Sequence, residues 1–236
     1  MTIKHNIYLS LLSILATLLI FEMTQLDLSF QALLYDENTS QWFWDKSEPI
    51  SRFLLYDGIK ASIILLEIGL FLMLLSGDRI DWVRSHRSAI RISCVSLLIV
   101  PSMVGFLKMT TNVACPSRLA EFGGVLPYVK LFEFYPKGFE GLAHLKCFPA
   151  GHASAGFSLF SLMFFFTSSA NRYALLGIIF ALAWMMGLYK MAIGDHFFSH
   201  TLISMEIACL LIAVITLFDR LFFDKNQLGK AGSVKF

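Results

Sequence analysis

Residues 173–218 read YALLGIIFALAWMMGLYKMAIGDHFFSHTLISMEIACLLIAVITLF. Two largely apolar runs, 173–189 and 202–218, flank a polar cluster at 190–200. Each run comes close to the ~20 residues that a helix needs to cross a ~30 Å hydrocarbon layer. A backbone facing lipid must satisfy its own hydrogen bonds, so such runs are helices and not strands. The stretch reads as two membrane helices joined by a turn that carries Lys190, Asp195, His196 and His200.

Outward from this pair, four more apolar stretches recur at 7–23, 62–75, 92–107 and 153–167. The stretches 62–75 and 153–167 are short and should extend into their flanks. The whole chain agrees: 56% of its 236 residues are hydrophobic, 15% are charged, and the mean hydropathy is +0.66. One soluble core does not hide that much apolar surface. Lys4 ahead of the first run imitates a secretory signal, but no small-x-small cleavage site follows before Glu22, so a retained helix is expected. The expected fold class is an all-α membrane protein of six transmembrane helices. It forms a single domain over 1–236, with outer loops at 24–61, 108–152 and 190–201 and a polar tail after Phe223 that should fray.

Six spans put both termini on one side. The 19 Lys and Arg residues divide almost evenly between the two faces, so the raw count decides little. Loop length decides better, because long loops translocate largely regardless of charge. Arg79, Arg84, Arg87 and Arg91 crowd one short connection, whereas Asp and Glu dilute the cations of two long loops on the opposite face. The expectation is a multi-pass protein of a bacterial inner membrane with both termini cytoplasmic. The three outer loops then share the periplasmic face.

Those loops hold three polar clusters, at 108–118, 148–152 and 190–200. Cys115 and Cys147 lie in the same outer loop, and an oxidising periplasm would let them close. In the entropic picture such a crosslink contributes ~3 to 4 kcal/mol. Two unpaired thiols are the alternative. Cys94 and Cys209 fall inside spans, where a thiol is a small apolar residue. The segment 121–146 interleaves aromatics with glycine and proline, as a surface anchor, a lid or a lipid-facing floor would.

Cleaving a phosphomonoester requires a nucleophile, a proton for the leaving alkoxide, and cations or N–H groups around the equatorial oxygens. The clusters offer all three. Lys108, Arg118 and Lys190 are cations, and Gly151 opens a helix whose N-terminal N–H groups favour an anion. Taken singly, each residue has a plainer reading: Lys108 and Lys190 as snorkelling span ends, His152 as an interfacial cap, His200 as a helix-start residue.

Together the clusters resemble the type 2 phosphatidic acid phosphatase superfamily, whose pattern is Lys, six residues, Arg-Pro; Pro-Ser-Gly-His; and Ser-Arg, five residues, His, three residues, Asp. Lys108 and Pro116 keep the first spacing, but Cys115 stands at the arginine, with Arg118 three residues on as a substitute. Pro149-Ala150-Gly151-His152 lacks the serine. Lys190 replaces the third-block arginine, His196 falls at the nucleophile position, and His200 replaces the aspartate. The resemblance implies a phosphohistidine at His196, oriented by His200, with His152 as general acid. Lys108, Arg118, Gly151 and Lys190 would hold the phosphate.

Zinc chemistry is the competing reading of His196 and His200, which stand i, i+4. Phe197, however, takes the place of the glutamate in His-Glu-x-x-His. No metal or cofactor is expected. Glu67 and Glu206 fall within spans, where interhelical hydrogen bonding is the favoured role. The expected activity is hydrolysis of a lipid phosphate such as lipid A, undecaprenyl pyrophosphate or phosphatidylglycerol phosphate, with membrane lipids and no nucleic acid as partners. The same site would serve a lipid phosphotransferase, and the four departures would also suit a lipid-binding relative without activity.

Overall fold

The computed structural model describes residues 2–139 and 144–224. Of the tail expected to fray after Phe223, Asp224 ends a helical turn and 225–236 lie outside the described residues, as do positions 140–143 of the aromatic segment.

The chain is mostly helical. Helix α1 is Ile3–Met23 and α2 is Leu26–Ala32. Strands β1, Tyr35–Asp36, and β2, Gln41–Trp42, pair antiparallel with Tyr35 opposite Trp42. Helix α3, Pro49–Arg52, passes through a π turn at Phe53–Asp57 into α4, Gly58–Ser76. Then come α5, Asp81–Ser85, α6, Arg87–Thr110, and α7, Gly151–Ser158, which continues as a 3-10 helix over Leu159–Phe165. Helices α8, Ser169–Ala192, and α9, Phe198–Asp219, complete the order.

Among the described residues five helices are long and apolar enough to cross a bilayer: α1, Pro49–Ser76, α6, α8 and Phe198–Phe223. They run further than the apolar stretches that announced them. Helical hydrogen bonding continues through polar residues at the membrane surface, so Arg87, Arg91 and Lys190 are helical. The loop expected at 24–61 therefore gives up 49–61 to helix, and the one at 190–201 shrinks to 193–197.

The expected span at 153–167 is not one of the five, because its second half tightens into a 3-10 helix. At ~1.5 Å per α residue and ~2.0 Å per 3-10 residue, 151–165 still covers ~26 Å. It runs antiparallel to α6. His152 feels the charge of Lys108 at one end, while Phe165 stacks at 6.0 and 6.1 Å on Trp82 and His86 just before the other.

This run forms the centre of the bundle. Phe157, Ala153 and Ala150 are buried with Val100 of α6, Ala183 of α8 and Ala208 of α9. Gly156 permits the close approach to α8, since a Cβ there would lie 2.9 Å from the Ala183 methyl. Helix α1 joins α9 through Glu206, whose carboxylate accepts from Ser13 at 2.5 Å and Thr17 at 2.8 Å. That is the interhelical bonding expected of an acid within a span. The outward faces of α1 and α4 leave Leu12, Leu15, Leu65, Phe71 and Leu72 exposed, an apolar girdle that suits lipid.

At the Lys108 end the aromatic segment is a packed cap. Leu119, Phe122, Leu126, Leu145 and Phe197 form one cluster with Tyr35, Trp42 and Tyr128, while Phe132 and Phe134 remain exposed. Trp42 packs on Gly194, whose φ of +74° and lack of a Cβ admit the ring; a Cβ would stand 2.4 Å from it.

Candidate active site

His196 sits in the five-residue turn between α8 and α9, which its own backbone shapes. The Lys190 carbonyl accepts from Asp195 N at 2.8 Å and His196 N at 3.3 Å, and the Gly194 carbonyl accepts from Ser117 N at 2.9 Å. The last contact pins the Cys115-Pro116 block against the turn. The N-terminus of α9 is closed from a distance. Its N-cap position is Phe197, which has no capping group, and the carboxylate of Asp27 in α2 accepts from Ser199 N at 2.9 Å and from the Ser199 hydroxyl instead. Burial pushes Asp27 up to about 6, against the pull of both Ser199 hydrogen bonds.

His200 lies one turn into α9, and its Nδ1 is 3.4 Å from His196 Nδ1. A backbone hydrogen bond with Cys147 steadies the His200 ring, and Phe148 and Phe197 meet it edge-on at 5.1 and 5.3 Å. If His200 donates to the Cys147 carbonyl and accepts at Nδ1, His196 carries its proton on Nδ1 and leaves Nε2 with a free lone pair. His152, in the first turn of α7, has its ring centre 6.2 Å from that of His196. Tyr56 meets the His152 ring edge-on, with ring centres 4.5 Å apart.

The cations converge on Asp195. Its carboxylate accepts from Lys190 at 2.9 Å and Lys46 at 2.6 Å, and the Lys190 ammonium also lies 4.4 Å over the Tyr56 ring. Burial disfavours a charge on Asp195, but the hydrogen bonds from Lys46 and Lys190 outweigh it and hold the carboxyl below its ordinary range. Lys108 is half-buried, and its charge bears on His152, His196 and His200. Burial first, then Lys190 and Lys108, pushes His152 down to about 4; Lys60 adds to the effect. Burial, with His200 and Lys108 behind it, holds His196 well below the usual imidazole range. Both rings rest neutral beside a group of charges in which Lys46, Lys60, Lys108 and Lys190 outnumber Asp195.

Most of the residues proposed from sequence thus meet in one place: His152, His196, His200, Lys108 and Lys190. Gly151 begins α7 with open space where a Cβ would stand. The Ala150 N–H is spent on the His200 carbonyl at 3.1 Å, so an anion would meet the N–H groups from Gly151 onward. Arg118 differs. It is exposed on the turn Pro116–Arg118. Lys46 and Lys60 stand in the circle instead, and the sequence reading missed both, along with Tyr56 and Asp27. None of these lies in a recognisable block.

Cys115 and Cys147 are joined in a disulfide across a separation of 32 residues. The backbone prepares it. Val113 and Lys146 form a parallel bridge and Cys147 N donates to the Val113 carbonyl at 3.1 Å, which brings the two Cα atoms to 5.2 Å. The Cys147 sulfur reaches 3.6 Å from His196 Nδ1.

The arrangement can hold a tetrahedral oxyanion among lysines and helix N–H groups beside a neutral, oriented imidazole. No curated protein and no solved structure matches the chain. The family model described as PAP2 superfamily matches residues 89–223, from the first turn of α6 through the end of α9. That interval holds all three blocks that meet at His196, and it is more than half of the chain: the protein belongs to the PAP2 superfamily.

Proposed function

We propose that this chain is a membrane-embedded phosphatase that removes a phosphoryl group from a lipid phosphate through a phosphohistidine at His196. PAP2 membership supports phosphatase-type activity on phosphate esters. The observation that carries the finer reading is the His196–His200 contact at 3.4 Å through Nδ1, which frees Nε2 for attack. As Nε2 bonds to phosphorus, His200 Nδ1 takes the growing positive character of the His196 N–H. Lys108 and Lys190, with the α7 N–H groups, stabilise the equatorial oxygens.

His152 serves the leaving alkoxide as general acid. Because it rests neutral, its proton arrives with a monoanionic phosphate ester, whose second ionisation lies near ~6. Water then attacks the phosphohistidine while neutral His152 accepts its proton.

We place the site on the periplasmic face of a bacterial inner membrane, with 153–165 as a sixth crossing and both termini cytoplasmic. The antiparallel course of this run beside α6 and the Arg-rich end opposite the site support that topology, as does a disulfide beside His196. Lipid A, undecaprenyl pyrophosphate and phosphatidylglycerol phosphate are the substrates to try first.

The test is inorganic phosphate release from these lipids by the detergent-solubilised protein in EDTA, wild type against His196→Ala. Release that persists in chelator and disappears in the variant is expected. Equal release by both proteins would overturn the histidine mechanism. Absence of release from every lipid would point to transfer onto another acceptor, or to lipid binding without chemistry.

A further inference from the structure

Cys147, His196 and His200 each offer one donor atom within 4.8 Å of the others, and all three residues are buried. His196 Nδ1 stands 3.4 Å from His200 Nδ1 and 3.6 Å from Cys147 Sγ. Around a tetrahedral Zn²⁺, with bonds of ~2.05 Å to nitrogen and ~2.3 Å to sulfur, donor atoms lie ~3.3 Å apart for N···N and ~3.6 Å for N···S. Two edges of such a tetrahedron are therefore already in place. What closes the site is the disulfide, because the sulfur that binds zinc is a thiolate and Cys147 is bonded to Cys115.

We propose that reduction of the Cys115–Cys147 disulfide opens a Zn²⁺ site formed by Cys147, His196 and His200, and that zinc bound there shuts off the nucleophile. The geometry favours this outcome of reduction. Cys115 is partly exposed and Cys147 is fully buried, so a dithiol reductant attacks Cys115 and expels Cys147 as the thiolate facing His196. The second thiol of the reductant then releases Cys115 and closes the reductant's own disulfide. Two electrons and two protons pass from the dithiol to the protein, leaving two cysteine thiols. Zinc binding displaces the proton of Cys147.

Lys108 and Lys190 would repel a bare dication held by two neutral imidazoles, which makes the thiolate charge necessary and the oxidised protein a poor binder. Zinc on Nδ1 of His196 also forces the ring proton to Nε2. The lone pair that would attack phosphorus is then gone. This loss of activity rests on the phosphohistidine reading, whereas the binding itself does not.

Four samples decide the matter: oxidised wild type, wild type reduced with dithiothreitol and freed of it anaerobically, Cys115→Ser, and the double variant Cys115→Ser/Cys147→Ser. Each is titrated with Co²⁺ and then Zn²⁺. Reduced wild type and Cys115→Ser should bind one metal per chain with a thiolate-to-cobalt charge-transfer band, and the other two samples should not. In the same two samples zinc should suppress phosphate release roughly tenfold or more, and EDTA should restore it. No charge-transfer band in reduced wild type overturns the site, as does equal binding by the double variant. Metal binding as described, in a protein whose oxidised form releases no phosphate, would leave the site standing and remove the phosphatase reading.

Discussion

His200 stands where the family carries an aspartate, and the substitution changes the charge next to His196 while keeping the contact. A neutral imidazole stabilises a developing imidazolium less than a carboxylate does, but it fixes the same tautomer. His200→Ala should therefore lower kcat by about 10² to 10³ fold with little change in KM, since the contact strengthens only as the transition state forms. A loss confined to KM would remove His200 from the mechanism. The resting charges set the pH dependence. With the His196 pKa held well below 6.5, this imidazole stays neutral as pH falls through that value, so kcat/KM should show no loss centred there. With His152 at about 4, the free enzyme brings no proton above pH 5, and kcat/KM should fall as pH rises through the substrate's second ionisation near ~6. An acid limb at 6.5 in kcat/KM would contradict the burial of His196. At this scale much of the site was legible, because the blocks fix spacing and chemistry around Lys108, His152, Lys190 and His196. Lys46 and Tyr56 were not, since they reach the site from a segment whose course only the fold defines. Arg118 is a different case: it stands exposed on the turn Pro116–Arg118, and its role beside the missing arginine is still to be tested.

Helix α9 begins with a structural problem and an imported answer. Phe197 offers no cap, and the first N–H groups of the helix stand next to His196. Asp27, brought by α2, supplies both the acceptor and the negative charge that a helix N-terminus favours. Asp27→Ala should cost about 1 to 2 kcal/mol of stability. It should also lower kcat/KM, because Ser199 sits between His196 and His200, and their shared geometry loosens with it. Asp27→Asn, which keeps the acceptor, should recover most of both. Thermal unfolding and kinetics on the same preparations check this, and an Asp27→Ala protein with wild-type kcat/KM would leave α2 with a packing role alone. The apolar periods announced the long helices clearly and their ends poorly. A helix end in the interfacial zone is set by backbone bonding and distant caps, which leave no period in the sequence. The span announced at 153–167 ends in a 3-10 helix, wound at ~3.0 and not ~3.6 residues per turn, where Leu159–Phe165 packs against α6 and the Trp82–His86 corner.

Across the whole molecule, charge and chemistry separate to opposite ends of α6. The Arg-rich corner gathers at its start, where Arg91 pairs with Asp219 at 2.7 Å, and the lysines and histidines gather at its end beside the disulfide. Short-loop arginines tend to stay cytoplasmic and a disulfide persists where the compartment is oxidising, so two independent physical rules support the proposed orientation. Val125 on the cap is 81% exposed and Ile80 at the opposite corner is 51% exposed, so each accepts a reporter cysteine. In intact cells with a permeabilised outer membrane, Val125→Cys should react with a membrane-impermeant maleimide, and Ile80→Cys only after lysis. The reverse pattern would move the site to the cytoplasm, where the resident thiols would keep Cys115 and Cys147 reduced and the substrate would have to come from the inner leaflet. Labelling of both positions from outside would remove α6, the one span between them, as a crossing, and with it the proposed topology.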